Sequence, residues 1–158
     1  MVSFAAKAQQ NLAVNFRLDG RLNIFELEIK KDFQANVLFA RLAEKPEVIE
    51  LNGSKFGLFN SYGVAVQVLN RAVKEFRITF NAEAGEAFSK TVFNGTLFLG
   101  EFQVTKEAKQ EDFKKIKGLQ FVCSSAEQCI LENAKGDIRV TASFKEGILS
   151  SIVFGVKD

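Results

Sequence analysis

Four residue pairs with glycine second, Asp19-Gly20, Asn52-Gly53, Asn94-Gly95 and Glu146-Gly147, stand between short apolar runs of this 158-residue chain. Such a pair tolerates the positive φ angles of a type I′ turn, the tightest link between antiparallel strands. The chain therefore reads as successive hairpins. The runs agree with this. Leu12, Val14, Phe16 and Leu18 alternate with Ala13, Asn15 and Arg17, and Ile138, Val140, Ala142 and Phe144 alternate likewise, the period of a half-buried strand. Residues 88–104 are expected to form the central hairpin, two arms rich in Phe and Leu turning at Asn94-Gly95. Residues 64–80 fit either a helical face or alternating strands. Their β-branched density favours two strands joined near Asn70-Arg71. Between Leu22 and Ile29 the parity slips at Ile24-Phe25, which reads as a bulge or as a strand covered on both faces.

Three segments carry helical spacing. Residues 3–10 follow Ser3 as N-cap. Residues 33–43 follow Asp32, place Ala35, Leu38, Phe39 and Leu42 on one stripe, and stop before Pro46. Residues 106–117 follow Thr105, end at Gly118, and pair Glu111 with Lys115. No repeat of fixed period and no linker divides the chain, so residues 1–158 read as a single domain. The expected fold is mainly β (α+β). It is an antiparallel, strongly curved sheet of about 8–10 strands forming a barrel or half-barrel, with two or three short helices packed on it.

Composition limits the chemistry. Histidine and tryptophan are absent, Tyr62 is the one tyrosine, and phenylalanine occurs 17 times. Without histidine the usual general base and the commonest transition-metal ligand are missing. Lys and Arg number 21 against 19 Asp and Glu, giving a net charge of +2, which leaves no electrostatic footprint for nucleic acid. No apolar run is long enough for a transmembrane helix, and the N-terminus lacks the apolar stretch of a signal peptide. Cys123 and Cys129 lie six residues apart in a polar stretch and suit a disulfide, which places the protein in the periplasm or outside the cell.

The remaining candidate chemistry is thin. Glu26 with Glu28, and Glu83 with Glu86, read as solvated carboxylates. Ser54-Lys55 and Ser89-Lys90 lack the spacing of a Ser–Lys catalytic pair on a helix. Asn52-Gly53-Ser54 and Asn94-Gly95-Thr96 match the glycosylation sequon but are more simply turns. The lysines of 106–117 are offset by Glu107, Glu111 and Asp112. No catalytic residue, metal site or cofactor site is therefore assigned.

Phenylalanine is left. Leu97 and Leu99 are expected on one strand face with Phe98, Phe102 and Val104 on the other. Leu58-Phe59 and Ile152-Val153-Phe154 also break alternation, so these strands should be apolar on both faces. Either the rings pack against one another, or the concave side of the sheet keeps an apolar pocket, because many flat rigid rings are hard to interdigitate without voids. An architecture with such a pocket resembles that of calycin-type lipid carriers and open half-barrel lipoprotein carriers. The Gly-x-Trp signature of lipocalins is absent, and no residue carries over. The function expected from the interior is non-enzymatic binding or carrying of an apolar or amphipathic small molecule, lipid-like or fatty-acid-like. Phe76, Phe80, Phe98, Phe102, Phe144 and Phe154 form its wall, and Tyr62 meets the head group. The alternative is a secreted or periplasmic protein–protein interaction module that pairs through a sheet edge and has no small-molecule ligand.

Overall fold

The computed structural model describes residues 11–81 and 84–158. The helix expected over residues 3–10, and Glu83, lie outside the described residues. A similar element order occurs twice, with three short strands before the helix in the first half and two in the second. Strands β1 (Ala13–Phe16), β2 (Leu22–Ile24) and β3 (Leu27–Ile29) lead into helix α1 (Ala35–Leu42) and then into a meander of β4 (Glu47–Leu51), β5 (Ser54–Phe59), β6 (Val64–Leu69) and β7 (Ala72–Thr79). The second half begins with β8 (Thr96–Leu99) and β9 (Phe102–Val104) and passes through the short helix α2 (Gln110–Lys114). It ends in a meander of β10 (Phe121–Ser125), β11 (Gln128–Leu131), β12 (Ile138–Lys145) and β13 (Ile148–Val156).

The two meanders join side by side through their last strands, giving an eight-stranded sheet of order β10-β11-β12-β13-β7-β6-β5-β4. The short strands make a second, five-stranded sheet, β3-β2-β1-β8-β9, in which β1 and β8 run parallel. Every other ladder is antiparallel. The fold is thus mainly β with two helices among the described residues, as expected, but its strands form no closed barrel. Among the described residues they number 13 and divide into two sheets. The parallel β1–β8 pair requires a long crossover, and the whole first meander supplies it. That meander belongs to the other sheet, so the two sheets do not merge.

The sheets face each other across one core. Phe16 of β1 and Phe154 of β13 meet across the layers with ring centroids 6.0 Å apart. Helix α1 packs Leu38 and Leu42 into this core and sets Phe39 edge-on to Phe59 at 5.0 Å. It starts two residues later than its pattern suggested. Asp32 has left-handed φ of 64° and is not the cap; the N–H of Ala35 is satisfied instead by the carbonyl of Arg71 at the β6–β7 turn. Helix α2 is much shorter than residues 106–117. Lys109 is its N-cap, Asp112 accepts from the Lys109 N–H at 2.9 Å, and Glu111 pairs with Lys114 at 3.3 Å rather than with Lys115.

The turns at Asp19-Gly20, Asn52-Gly53, Asn70-Arg71 and Glu146-Gly147 lie where expected, with positive φ at Gly20 and at both members of the other three pairs. Asn94-Gly95 is a correction. Neither residue has positive φ, and the segment before it is a loop. A Cβ at Gly95 would stand 2.1 Å from the Leu12 carbonyl oxygen, so glycine here permits two backbones to approach. The hairpin instead turns at Gly100-Glu101, with Leu99 opposite Phe102. This resets the faces: Leu97 pairs with Val104 and Leu99 with Phe102, leaving Phe98 on the opposite side beside Asn15 and Gln103. The parity slip at Ile24-Phe25 is likewise a turn. Phe25 takes φ of 55° with its ring beneath the Arg41 guanidinium, and Ile24 pairs with Leu27. Glu26 sits in that turn and does not share a strand face with Glu28. The polar stretch that holds the two cysteines is a hairpin of β10 and β11.

Candidate functional site

The seven aromatic residues named from the sequence do not converge on one space. Phe76 and Phe154 are register partners on β7 and β13, fully enclosed between the layers. Phe144 on β12 lies edge-on to Phe113 of α2 at 5.6 Å, and Phe113 also meets Phe121 at 5.4 Å and Phe102 at 6.1 Å. Phe113 is therefore the hub of four rings that close one end of the core. Phe80 is buried just beyond β7 and sits edge-on to Phe93 at 5.8 Å. Phe98 is half-buried on the other face of its sheet. Tyr62 is buried, and its hydroxyl donates to the Leu42 carbonyl at 3.0 Å, closing the C-terminal end of α1. Edge-to-face contact is the favoured geometry for such rings, and it accounts for their packing here.

Depressions occur at the surface instead. One, of about 300 Å³, lies between the β8–β9 hairpin and α2. Half-buried Phe102 and buried Ile116 form its floor, and Lys115, Lys117, Glu101 and Asp112 stand around it. Both floor residues are fixed from below, Phe102 by the ring of Phe113 and Ile116 by its N–H bond to the Phe113 carbonyl. Asp112 is already engaged in capping α2. A smaller depression of about 170 Å³ includes Phe80, Phe93 and Val104. Phe102 and Phe80 are thus the two members of the sequence-derived set that reach a described depression, at separate places.

The outer face of the first meander has its own small core. Phe56, Leu58 and Ala65 are buried there beneath Ala87, in the segment between β7 and β8. Arg77 fastens that segment: its guanidinium lies 4.7 Å from the Phe56 ring and 4.8 Å from the Phe88 ring, and it is paired with Glu75 at 2.7 Å. Asn60 holds the next turn, accepting from Ser89 at 3.0 Å and from the Lys90 N–H at 2.9 Å. Lys90 then bonds Glu47 at 2.7 Å. That hydrogen bond is the main reason the Glu47 carboxyl sits below the usual range, against a smaller opposing effect of desolvation. This covering segment was not legible, because Phe88 to Phe93 resembled a strand. Its only signal was the hydroxyl and lysine cluster Ser89-Lys90-Thr91.

Cys123 and Cys129 form a disulfide across β10 and β11. No group of three His, Cys, Asp or Glu side chains placed to hold a metal occurs among the described residues, and no helix among them is long and apolar enough to cross a membrane. No protein family, curated protein or solved structure matches the chain.

Proposed function

We propose that this protein is a non-enzymatic binding domain for an apolar or amphipathic small molecule, taken at the surface on the Phe102–Ile116 floor rather than in the middle of the core. The depression of about 300 Å³ there is the observation that carries the reading. It is at the lower end of the volumes that hold small ligands, so it covers a stretch of a chain-like guest instead of enclosing all of it. Each methylene laid on the two apolar side chains contributes about 0.8 kcal/mol. Lys115 and Lys117 give an acidic head group a place at the rim. The Cys123–Cys129 disulfide supports an oxidising compartment, periplasmic or extracellular.

Titration with a fluorescent fatty acid tests this. Saturable binding that weakens in Phe102→Ser and in the Lys115→Glu, Lys117→Glu double variant supports the site. Absence of saturable binding, or binding indifferent to these changes, removes it. Native mass spectrometry before and after organic extraction adds an independent reading, since a co-purified guest should appear only before extraction.

A further inference from the structure

Strand β10 is an edge of the eight-stranded sheet and is paired on one side only, with β11. That ladder is interrupted. Phe121 lies opposite Leu131 and Val122 opposite Ile130, and the register then shifts before Ser125 meets Gln128. Cys123 and Ser124 fall in the break, and the Cys123–Cys129 bond spans it. The disulfide therefore ties the two strands at the point where the ladder does not.

Helix α2 rests on β10 at either side of this break. On one side the Phe121 ring meets Phe113 edge-on at 5.4 Å. On the other, the carbonyl of Ser125 accepts from the side-chain amide of Gln110, the first residue of the helix, at 2.9 Å. A helix of five residues holds its place by such docking and not by its own hydrogen bonds. The Phe102–Ile116 depression depends on that place. Asp112, Lys115, Ile116 and Lys117 on one wall belong to α2 and the residues just after it, and Phe102 on the other leans on Phe113. A line of direct contacts thus runs from the disulfide through β10 and α2 to the floor.

We propose that the Cys123–Cys129 bond is a redox latch on this depression. Resting on the binding reading above, the inference adds its control: the intact bond keeps α2 seated for the apolar guest, and reduction by a dithiol unseats α2 and releases the guest. Cys129 is fully buried and Cys123 half-buried, so Cys123 is the side open to attack. A thiolate of the dithiol bonds to Cys123 Sγ, and Cys129 leaves as a thiolate that takes up a proton. The second thiol of the reductant then displaces Cys123. The dithiol ends as a disulfide and the protein as two thiols, a two-electron exchange that an oxidised dithiol reverses. The ladders from β11 to β12 and β12 to β13 involve neither sulfur and hold the rest of the sheet.

Fluorescent fatty acid titrated into the disulfide-bonded protein, and into the same protein kept in dithiothreitol, tests the latch. Affinity should fall about fivefold or more on reduction, as the seated arrangement loses population, and return on reoxidation. The Cys123→Ser, Cys129→Ser double variant should bind like the reduced protein with or without dithiothreitol. Gln110→Ala removes one hold on α2 and leaves the cysteines intact. It should weaken binding by the oxidised protein in the same direction, which keeps the test alive if the double variant fails to fold. Far-UV circular dichroism should be unchanged in the reduced protein. Equal affinity in the two redox states overturns the latch alone. Loss of affinity together with loss of the β spectrum also overturns it, since the bond is then a staple of the whole fold. Absence of saturable binding in both states removes the binding reading, and the latch with it.

Discussion

At Gly63 a Cβ would stand 2.3 Å from the backbone nitrogen of Phe93, and φ is +78°. Gly63→Ala therefore meets both a backbone clash and an unfavourable conformation and should cost about 3 kcal/mol. Gly53 has φ of +81° with nothing within 4 Å of the added carbon, so Gly53→Ala should cost only about 1 kcal/mol. Urea denaturation of the two variants reads this difference, and equal losses would contradict it. Sequence could place Gly53 in a turn but could not distinguish it from Gly63, because the distinction is made by a loop thirty residues away in the chain. Thr79 is fully buried and its hydroxyl has no partner among the described residues. Thr79→Val keeps the shape and removes that unpaired group, so it should stabilise the fold by about 1 kcal/mol in the same assay. Glu47 gives the sign of a pH effect. Its carboxyl in the folded protein lies below the ordinary value of 4.5 because Lys90 bonds it, with desolvation opposing. The resulting stabilisation is present above that ordinary value and is lost as pH falls through the folded one. Glu47→Gln should flatten the acid limb of a stability–pH curve relative to the unaltered protein. An unchanged limb would show that the Lys90 bond does not persist in solution.

Elements were most legible where local chemistry and tertiary demand agree. Asn52-Gly53, Asn70-Arg71 and Glu146-Gly147 each link flanking strands that are neighbours in the sheet, so turn residues and alternation gave the same answer. They disagree at Asn94-Gly95, where glycine serves the close approach of Leu12, and at Phe25, where an aromatic ring under Arg41 holds a positive φ. Neither is visible without the partner element. Helix α2 shows the same limit: Phe113 and Ile116 anchor only a short helix, Gln110–Lys114, so the rest of 106–117 is turn and irregular backbone. The disulfide was legible from spacing alone. It closes a loop of sequence separation 6, and replacing both cysteines by Ala should lower stability by about 2 kcal/mol. A thermal melt of the double variant, compared with the intact protein, checks this. A loss beyond about 4 kcal/mol would mean that the bridge does more than shorten one local loop, since only much longer loops reach that value.

In the whole molecule, the repeated order of short strands, helix and meander escaped sequence reading because the correspondence lies in register and topology, not in a fixed period of residue types. The apolar excess was legible, but its disposition was not. Strands apolar on both faces suggested one curved sheet around a hollow. The structure satisfies the same excess with two sheets, an end cap of rings around Phe113, and a covering segment over Phe56 and Leu58. The binding proposed here accordingly falls at the surface, where half-buried Phe102 lines a depression with Ile116. The most direct test is a fatty-acid titration followed residue by residue through the backbone amide resonances. The account predicts saturable shifts centred on Phe102, Lys115, Ile116 and Lys117, with the amides of Phe76 and Phe154 unmoved. Saturable shifts centred on Phe76 and Phe154, or none anywhere, would contradict it.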